Sequence, residues 1–149
     1  MLVKHTSITP IFVEQIPESL EDGNLYISRR YSTALHKCYC GCGAEVVTPL
    51  TQTDWSLEFD GKSVSLAPSI GNWSLPCRSH YIIRKNRVQW VGAMTQQQIE
   101  KNRTVDRAIK NAYYNKHEDL TSRSGSVADQ AGKPVWTSLW RKFLKWLAP

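Results

Sequence analysis

The sequence predicts a β-rich α+β protein: a small β-sheet or barrel unit, then one amphipathic helix and a further helix in the C-terminal tail. Three observations lead to this prediction. Short runs rich in Val, Ile, Tyr, Trp and Thr alternate with turn residues over residues 1–91, at a spacing of about 8–12 residues that is typical of small sheets. The apolar period becomes helical after Thr95. All four cysteines fall in two short clusters of the β region.

Eight segments of the β region have the apolar and polar alternation of strands. Asp60-Gly61 lies between two of them and is a strong signal for a tight hairpin. Lys85-Asn86 predicts a second tight turn, because Asn tolerates left-handed backbone. The predicted strands are residues 11–16, 24–28, 33–37, 45–49, 55–59, 63–66, 80–84 and 88–91.

The cysteine clusters predict one structural zinc ion. The first cluster reads His36-Lys-Cys38-Tyr-Cys40-Gly-Cys42-Gly43, and the second reads Cys77-Arg-Ser-His80. Thiolate and imidazole are the ligands that zinc prefers, and a structural site needs four of them. We expect the ligands to be chiefly Cys38, Cys40, Cys42 and Cys77, with His36 and His80 left open as ligands or as catalytic groups. A disulfide pair or four inert thiols are the alternatives, which the lack of a secretory signal disfavours.

The second part of the chain reads as helix, linker and helix. Thr95 has the chemistry of an N-cap, with Gln98 as its capping-box partner, and a helix then runs to about residue 115. Small and polar residues at 121–134 predict a linker. We therefore divide the chain into a zinc-binding β domain at 1–94, a helical extension at 95–120, that linker, and an amphipathic C-terminal helix at 135–149.

Composition and charge distribution argue against a nucleic-acid-binding β region and against a membrane-spanning protein. The chain has 149 residues and a net charge of +6, which suits one domain with an appendage. Residues 92–149 hold ten Lys or Arg against five Asp or Glu, whereas residues 1–91 hold nine against eight. A near-neutral β region argues against nucleic-acid binding there. Because no apolar run approaches the ~20 residues of a membrane span, we expect a cytoplasmic protein. The tail could contact a membrane only weakly, so we rank a protein partner above lipid.

Several motifs carry a resemblance to a known family. They are the cysteine motif His36 to Gly43, Val46-Val-Thr-Pro-Leu, and the segment Pro68-Ser-Ile-Gly-Asn-Trp-Ser-Leu-Pro-Cys-Arg-Ser-His-Tyr81. Together they resemble a small bacterial family, formerly of unknown function, encoded beside ubiquitin-like modifiers and their activating and conjugating enzymes. The resemblance covers about residues 10–110. It implies a role in a bacterial ubiquitin-like conjugation pathway associated with antiviral defence, and a peptidase that matures the modifier or removes it from targets.

With zinc held by the cysteines, the polar residues that packing does not require are His36, His80, Ser69, Ser79 and Glu14. Ser beside His is the minimal nucleophile and general-base pair. We expect Ser69 to be the nucleophile, presented by a constrained turn at 68–71, with His80 or His36 as the base. Backbone N–H groups or the Asn72 amide would form the oxyanion hole. Ser69 capping a turn and His80 packing with a satisfied hydrogen bond is the simpler alternative.

Two further alternatives stay open. In one, His36 or His80 joins some of the cysteines as a zinc ligand, and Glu14 or Glu45 acts as the base of a metallopeptidase. Cysteine-rich zinc is mostly structural, which disfavours this arrangement. In the other, the chain is a non-catalytic zinc-binding adaptor that docks the modifier or its conjugating enzymes.

Overall fold

The structure, a computed structural model, describes residues 4–130, with side chains over residues 4–118. Eight strands precede one helix, in agreement with the β-rich class predicted from the sequence. The strands are β1 (Thr9–Phe12), β2 (Asn24–Ser28), β3 (Thr33–Lys37), β4 (Glu45–Pro49), β5 (Ser56–Phe59), β6 (Val64–Gly71), β7 (His80–Arg84) and β8 (Arg87–Trp90), and the helix α1 is Gln96–Gln130.

The strands form two four-stranded sheets in chain order, β1-β2-β3-β4 and β5-β6-β7-β8. The pair β1 and β2 is parallel, and every other pairing within the two sheets is antiparallel. Each predicted strand has a counterpart, and four of them have the predicted bounds. The first differs: it was expected at residues 11–16 and is found at Thr9–Phe12, where it pairs with β2.

A single hydrophobic core takes side chains from both sheets. Leu25 and Ile27 of the first sheet and Tyr81 and Ile83 of the second are all fully buried. These residues are two apart on their strands, so the other face of each strand points away from the core. Burying side chains of this size is worth roughly 1.5–3 kcal/mol each. The alternate positions of β7, namely His80, Ile82 and Arg84, therefore belong to the outer face of the second sheet.

Strand β6 is longer and less regular than the sequence predicts. It was expected to end at residue 66, with a turn at 68–71, but it continues through Gly71. Leu66 pairs with Ile83 and Ile70 pairs with Tyr81, so three residues of β6 lie opposite the single residue Ile82. The predicted turn is thus a bulge inside the strand, which redirects side chains while pairing resumes beyond it.

Helix α1 begins as expected and continues further than expected. Gln98 Oε1 accepts a hydrogen bond from Thr95 N at 2.9 Å, and Thr95 Oγ1 accepts one from Gln98 N at 3.3 Å, which is the predicted capping box. Residues 121–130, expected to be linker, are helical. They contain one Gly and no Pro, and a Gly costs a helix only about 1 kcal/mol relative to Ala.

The chain divides into two compact units between Asp106 and Arg107. The β sheets and the start of α1 belong to the first unit, and the rest of α1 belongs to the second. The amphipathic helix predicted at 135–149 lies outside the described residues. Among residues 4–130, no helix is long and apolar enough to cross a membrane.

Candidate functional site

Ser69 and His80 meet on the outer face of the second sheet. Ser69 lies in the bulge of β6, and His80 is the first residue of β7. The Ser69 hydroxyl donates to His80 Nε2 over 2.9 Å. His80 Nδ1 lies 3.1 Å from the carbonyl oxygen of Gly92, in the segment that follows β8. Because a carbonyl oxygen only accepts, Nδ1 carries the proton and Nε2 is left with the lone pair that a general base needs.

Trp73 covers the imidazole of His80. The two ring centroids are 5.0 Å apart and the ring planes make an angle of 59°. His80 is only 8% exposed, although it lies on the outer face of the sheet. Gly71 makes room for this arrangement, since a Cβ at that position would lie 2.3 Å from Trp73 Nε1. The local sequence Gly-Asn-Trp therefore places an indole beside the histidine and limits its contact with water.

Two depressions flank the Ser69–His80 pair. The larger has a volume of about 460 Å³ and is lined by Ser69, Ile82 and Arg84 among others. The smaller, of about 210 Å³, is lined by His80 and also by Cys40 and Cys77. A polypeptide crossing the pair could thus place its residues in a depression on either side of the bond facing Ser69.

The four cysteines come together from both sheets. Cys38, Cys40 and Cys42 lie in the β3–β4 connection, and Cys77 lies just before β7. All four Sγ atoms are within 4.8 Å of one another, with Cys38 at 3.4 Å from Cys40 and 3.9 Å from Cys77. Tetrahedral zinc with Zn–S bonds of about 2.3 Å separates its sulfurs by roughly 3.8 Å. The cysteines therefore fit such an ion, and none of them forms a disulfide.

The backbone of the first cysteine loop takes the expected form. Gly41 has a φ of 82° and Gly43 a φ of 77°, the left-handed region that glycine enters without a steric penalty. These two residues turn the chain so that three thiols face one point. Burial raises the pKa of Cys38, and it also raises the pKa of Cys40. Burial opposes ionisation of Cys77 as well, but hydrogen bonds with the Ser79 backbone and with the side chains of Ser79, Cys40 and Cys42 together lower the pKa of that thiol to about 7.

A buried polar chain supports the cysteines. Asn72 Nδ2 donates to Ser79 Oγ at 2.8 Å, which leaves the Ser79 hydroxyl to donate to Cys38 Sγ at 3.0 Å. Asn72 Nδ2 also lies 3.3 Å from the Tyr81 hydroxyl. The Asn72 amide is thus directed at these groups, so of the two alternatives for the oxyanion hole only the backbone N–H groups stay a prediction. Sequence reasoning did not assign Ser79 to the cysteine cluster, although its position next to His80 on a strand indicated opposite faces.

His36 occupies a different environment from His80. It is fully buried, stacks on Tyr39 with centroids 4.4 Å apart, and its Nε2 lies 2.7 Å from the Tyr81 hydroxyl. Burial lowers the pKa of His36 to about 3, so the ring is neutral. The structure brings His80, rather than His36, to Ser69. Over residues 4–118, the group able to hold a metal consists of four cysteines without histidine or glutamate, which is not the ligand set of the metallopeptidase alternative.

The group that accepts the His80 Nδ1 proton is a main-chain carbonyl, which no side chain in the sequence could indicate. Gly92 contributes only its carbonyl oxygen to His80, and Val91 N donates to His80 O over 2.9 Å in the same segment. A main-chain acceptor can come from any residue type, so composition and motifs could not identify it. Catalytic triads orient their histidine with a carboxylate, whereas His80 has a peptide carbonyl in that position.

Comparison with known proteins identifies a family. No curated protein and no solved structure matches the chain. The sequence model of a family described as bacterial ubiquitination-like system serine protease (BubE) matches residues 12–91, which is more than half of the chain and includes Ser69, His80 and all four cysteines. The chain therefore belongs to the BubE family, the serine proteases of bacterial ubiquitination-like systems.

Proposed function

We propose that this protein is a serine peptidase that matures or removes a ubiquitin-like modifier, with Ser69 as nucleophile and His80 as general base. The observation that carries the proposal is the 2.9 Å hydrogen bond from the Ser69 hydroxyl to His80 Nε2, in a chain of a serine protease family. The modifier and its activating and conjugating enzymes would be its partners in the pathway. The proposal places this activity in the cytoplasm, as part of antiviral defence.

The geometry supports a two-step acyl transfer. Ser69 Oγ would attack the carbonyl carbon of the scissile peptide while His80 Nε2 takes the hydroxyl proton. The resulting imidazolium would be stabilised by the Gly92 carbonyl at Nδ1. His80 would then protonate the departing amine, and water activated by the same nitrogen would hydrolyse the acyl-enzyme. The depressions on both sides of the pair leave room for substrate before and after the bond.

The cysteines would hold a structural zinc. Four thiolates leave no open position for a reacting water, so the ion would stabilise the fold rather than take part in hydrolysis. Its place supports this role, because Cys38, Cys40 and Cys42 come from the first sheet and Cys77 from a connection within the second. Protein purified without added metal should contain close to one zinc per chain, and Cys77→Ser should lower both zinc content and solubility. A well-folded, metal-free protein would contradict this assignment.

A fluorophosphonate probe tests the nucleophile without knowledge of the substrate. The wild type should be labelled on Ser69, Ser69→Ala should not be labelled, and His80→Ala should be labelled at least 100-fold more slowly because the base is lost. Ser56→Ala on the neighbouring strand is the matched control. Cleavage of a modifier precursor should follow the same order and should persist in the presence of a chelator that leaves the protein folded. Absence of labelling in the wild type would favour the adaptor alternative.

A further inference from the structure

The larger depression leads from Ser69 to a cationic hairpin end. His80, Ile82 and Arg84 share the outer face of β7, and Ile82 and Arg84 both line the depression. At about 3.3 Å per residue, Arg84 lies roughly 13 Å along the strand from His80. An extended peptide running over the outer face of β7 would cover this distance in about four residues. The depression is thus long enough to bind substrate side chains that lie several residues from the scissile peptide bond.

Two arginines face each other at that end. Arg84 of β7 and Arg87 of β8 are directly paired across the strands and both are exposed. Directly opposed like charges destabilise a sheet, so the pairing has a cost in the free protein. Over residues 4–118, neither guanidinium forms a salt bridge. Glu58 lines the same depression, but its register partner Ser65 stands between it and Arg84.

The hairpin that carries these arginines is held firmly. Asn86, in the turn between β7 and β8, accepts from Val64 N through Oδ1 at 2.8 Å and donates from its own N to Val64 O at 3.0 Å. The Asn86 carbonyl accepts from Ile8 N at 2.8 Å. Lys85, in the same turn, has Asp60 as a nearby countercharge. The uncompensated charge of this rigid end therefore belongs to the two arginines.

We infer that the depression between Ser69 and Arg84 binds an extended segment of the protein substrate, and that Arg84 and Arg87 recognise an acidic side chain about four residues from the scissile bond. This inference rests on the proposed function and names the chemistry of its substrate. The counter-charge that the arginines lack among residues 4–118 is supplied by the substrate. Electrostatic recognition of this kind contributes specificity and association rate.

The first experiment measures binding and is independent of catalysis. Fluorescein-labelled ten-residue peptides with a Gly-Gly centre carry acidic, neutral or basic residues at the fourth position on either side, and their affinity for Ser69→Ala is measured by anisotropy. The acidic peptide should bind about tenfold more tightly than the neutral one at 50 mM salt, and the preference should shrink at 300 mM. Equal affinities, or no binding of any peptide at 1 mM, would overturn the inference.

Arg87→Glu gives a sharper test, because binding and stability should move in opposite directions. The substitution places a carboxylate opposite Arg84, so the melting temperature should rise by about 1–3 °C. In the Ser69→Ala background, affinity for the acidic peptide should fall about tenfold. Arg29→Glu, an equal charge change in the turn between β2 and β3, should leave the affinity nearly unchanged. An equal loss in both variants would show a non-specific effect of net charge and would refute the site.

Different results would exclude the peptidase activity and the acidic recognition site. If Ser69→Ala binds acidic peptides selectively but the wild type reacts with no fluorophosphonate and cleaves no precursor, the peptidase proposal fails and the acidic binding site stands. If the Arg87→Glu variant cleaves the precursor as efficiently as the wild type does, the recognition site fails and the peptidase proposal stands.

Discussion

Gly71 offers a direct test of how the site is packed. An alanine Cβ there would lie 2.3 Å from Nε1, 2.6 Å from Cε2 and 2.9 Å from Cζ2 of Trp73. Ordinary carbon contacts begin near 3.5 Å, so the indole would have to move by about 1 Å. Overpacking of this size costs about 1–3 kcal/mol, and the melting temperature should fall by about 5–15 °C for a unit of this size.

The displaced indole should also impair the chemistry. Trp73 covers His80 at a centroid distance of 5.0 Å, and a misplacement of about 1 Å near reacting groups can reduce a rate about 100-fold. We therefore expect Gly71→Ala to lower the rate of fluorophosphonate labelling at Ser69 by about 10–100-fold. Differential scanning fluorimetry and intact-mass labelling kinetics on the same preparation measure both effects.

A double-mutant cycle separates the clash from any backbone effect. Trp73→Leu removes the atoms that would meet the new Cβ, so Gly71→Ala should cost little stability in that background. Gly92→Ala adds the same methyl group where nothing lies within 4 Å, and its melting temperature should stay close to that of the wild type. If Gly71→Ala costs as much stability with Leu at position 73 as with Trp, the steric explanation is wrong.

The remaining predictions concern the cysteine support and the two histidines. Ser79→Ala removes the hydroxyl that donates to Cys38 Sγ and should weaken zinc binding by about 10–100-fold, measured by competition with a chromophoric chelator. His36→Phe should keep zinc stoichiometry and labelling of Ser69, because His36 bonds Tyr81 instead. Nitrogen-15 NMR should show His80 protonated on Nδ1 when neutral. The first prediction is wrong if Ser79→Ala leaves zinc affinity unchanged, and the second is wrong if His36→Phe abolishes labelling of Ser69. The third is wrong if neutral His80 carries its proton on Nε2.

Local pattern predicted the strands and the hairpins at Asp60-Gly61 and Lys85-Asn86, but not the arrangement of the strands in sheets. Alternation marks where a strand lies and which of its faces is apolar, and it located β2, β3, β4 and β7 to the residue. It does not say which strands share a sheet, so the division into two sheets could not be predicted. Pairing depends on contacts between residues distant in sequence, for which a single chain carries little signal.

The sequence identified the residues of the candidate site, but it did not predict how the backbone presents them. Ser69 and His80 stood out because their polarity is not required for packing, and the structure places them in contact, although their catalytic roles stay predictions. The Pro68-Ser69 sequence indicated a turn, whereas the chain forms a bulge, because strand pairing resumes at Ile70. The Asn72 amide, one of the two alternatives for the oxyanion hole, bonds Ser79 instead.

The alternation along Ser79 to Arg84 also restricts how this segment can change in length. Ser79 and Tyr81 face the cysteines and the core, while His80 and Ile82 face the outer surface. Gaining one residue between Ser79 and His80 would put the Ser79 hydroxyl and the His80 imidazole on the same face, so either the thiols or Ser69 would lose a partner. A change of two residues would preserve the assignment of faces. We therefore expect members of the family to differ in length here by even numbers of residues.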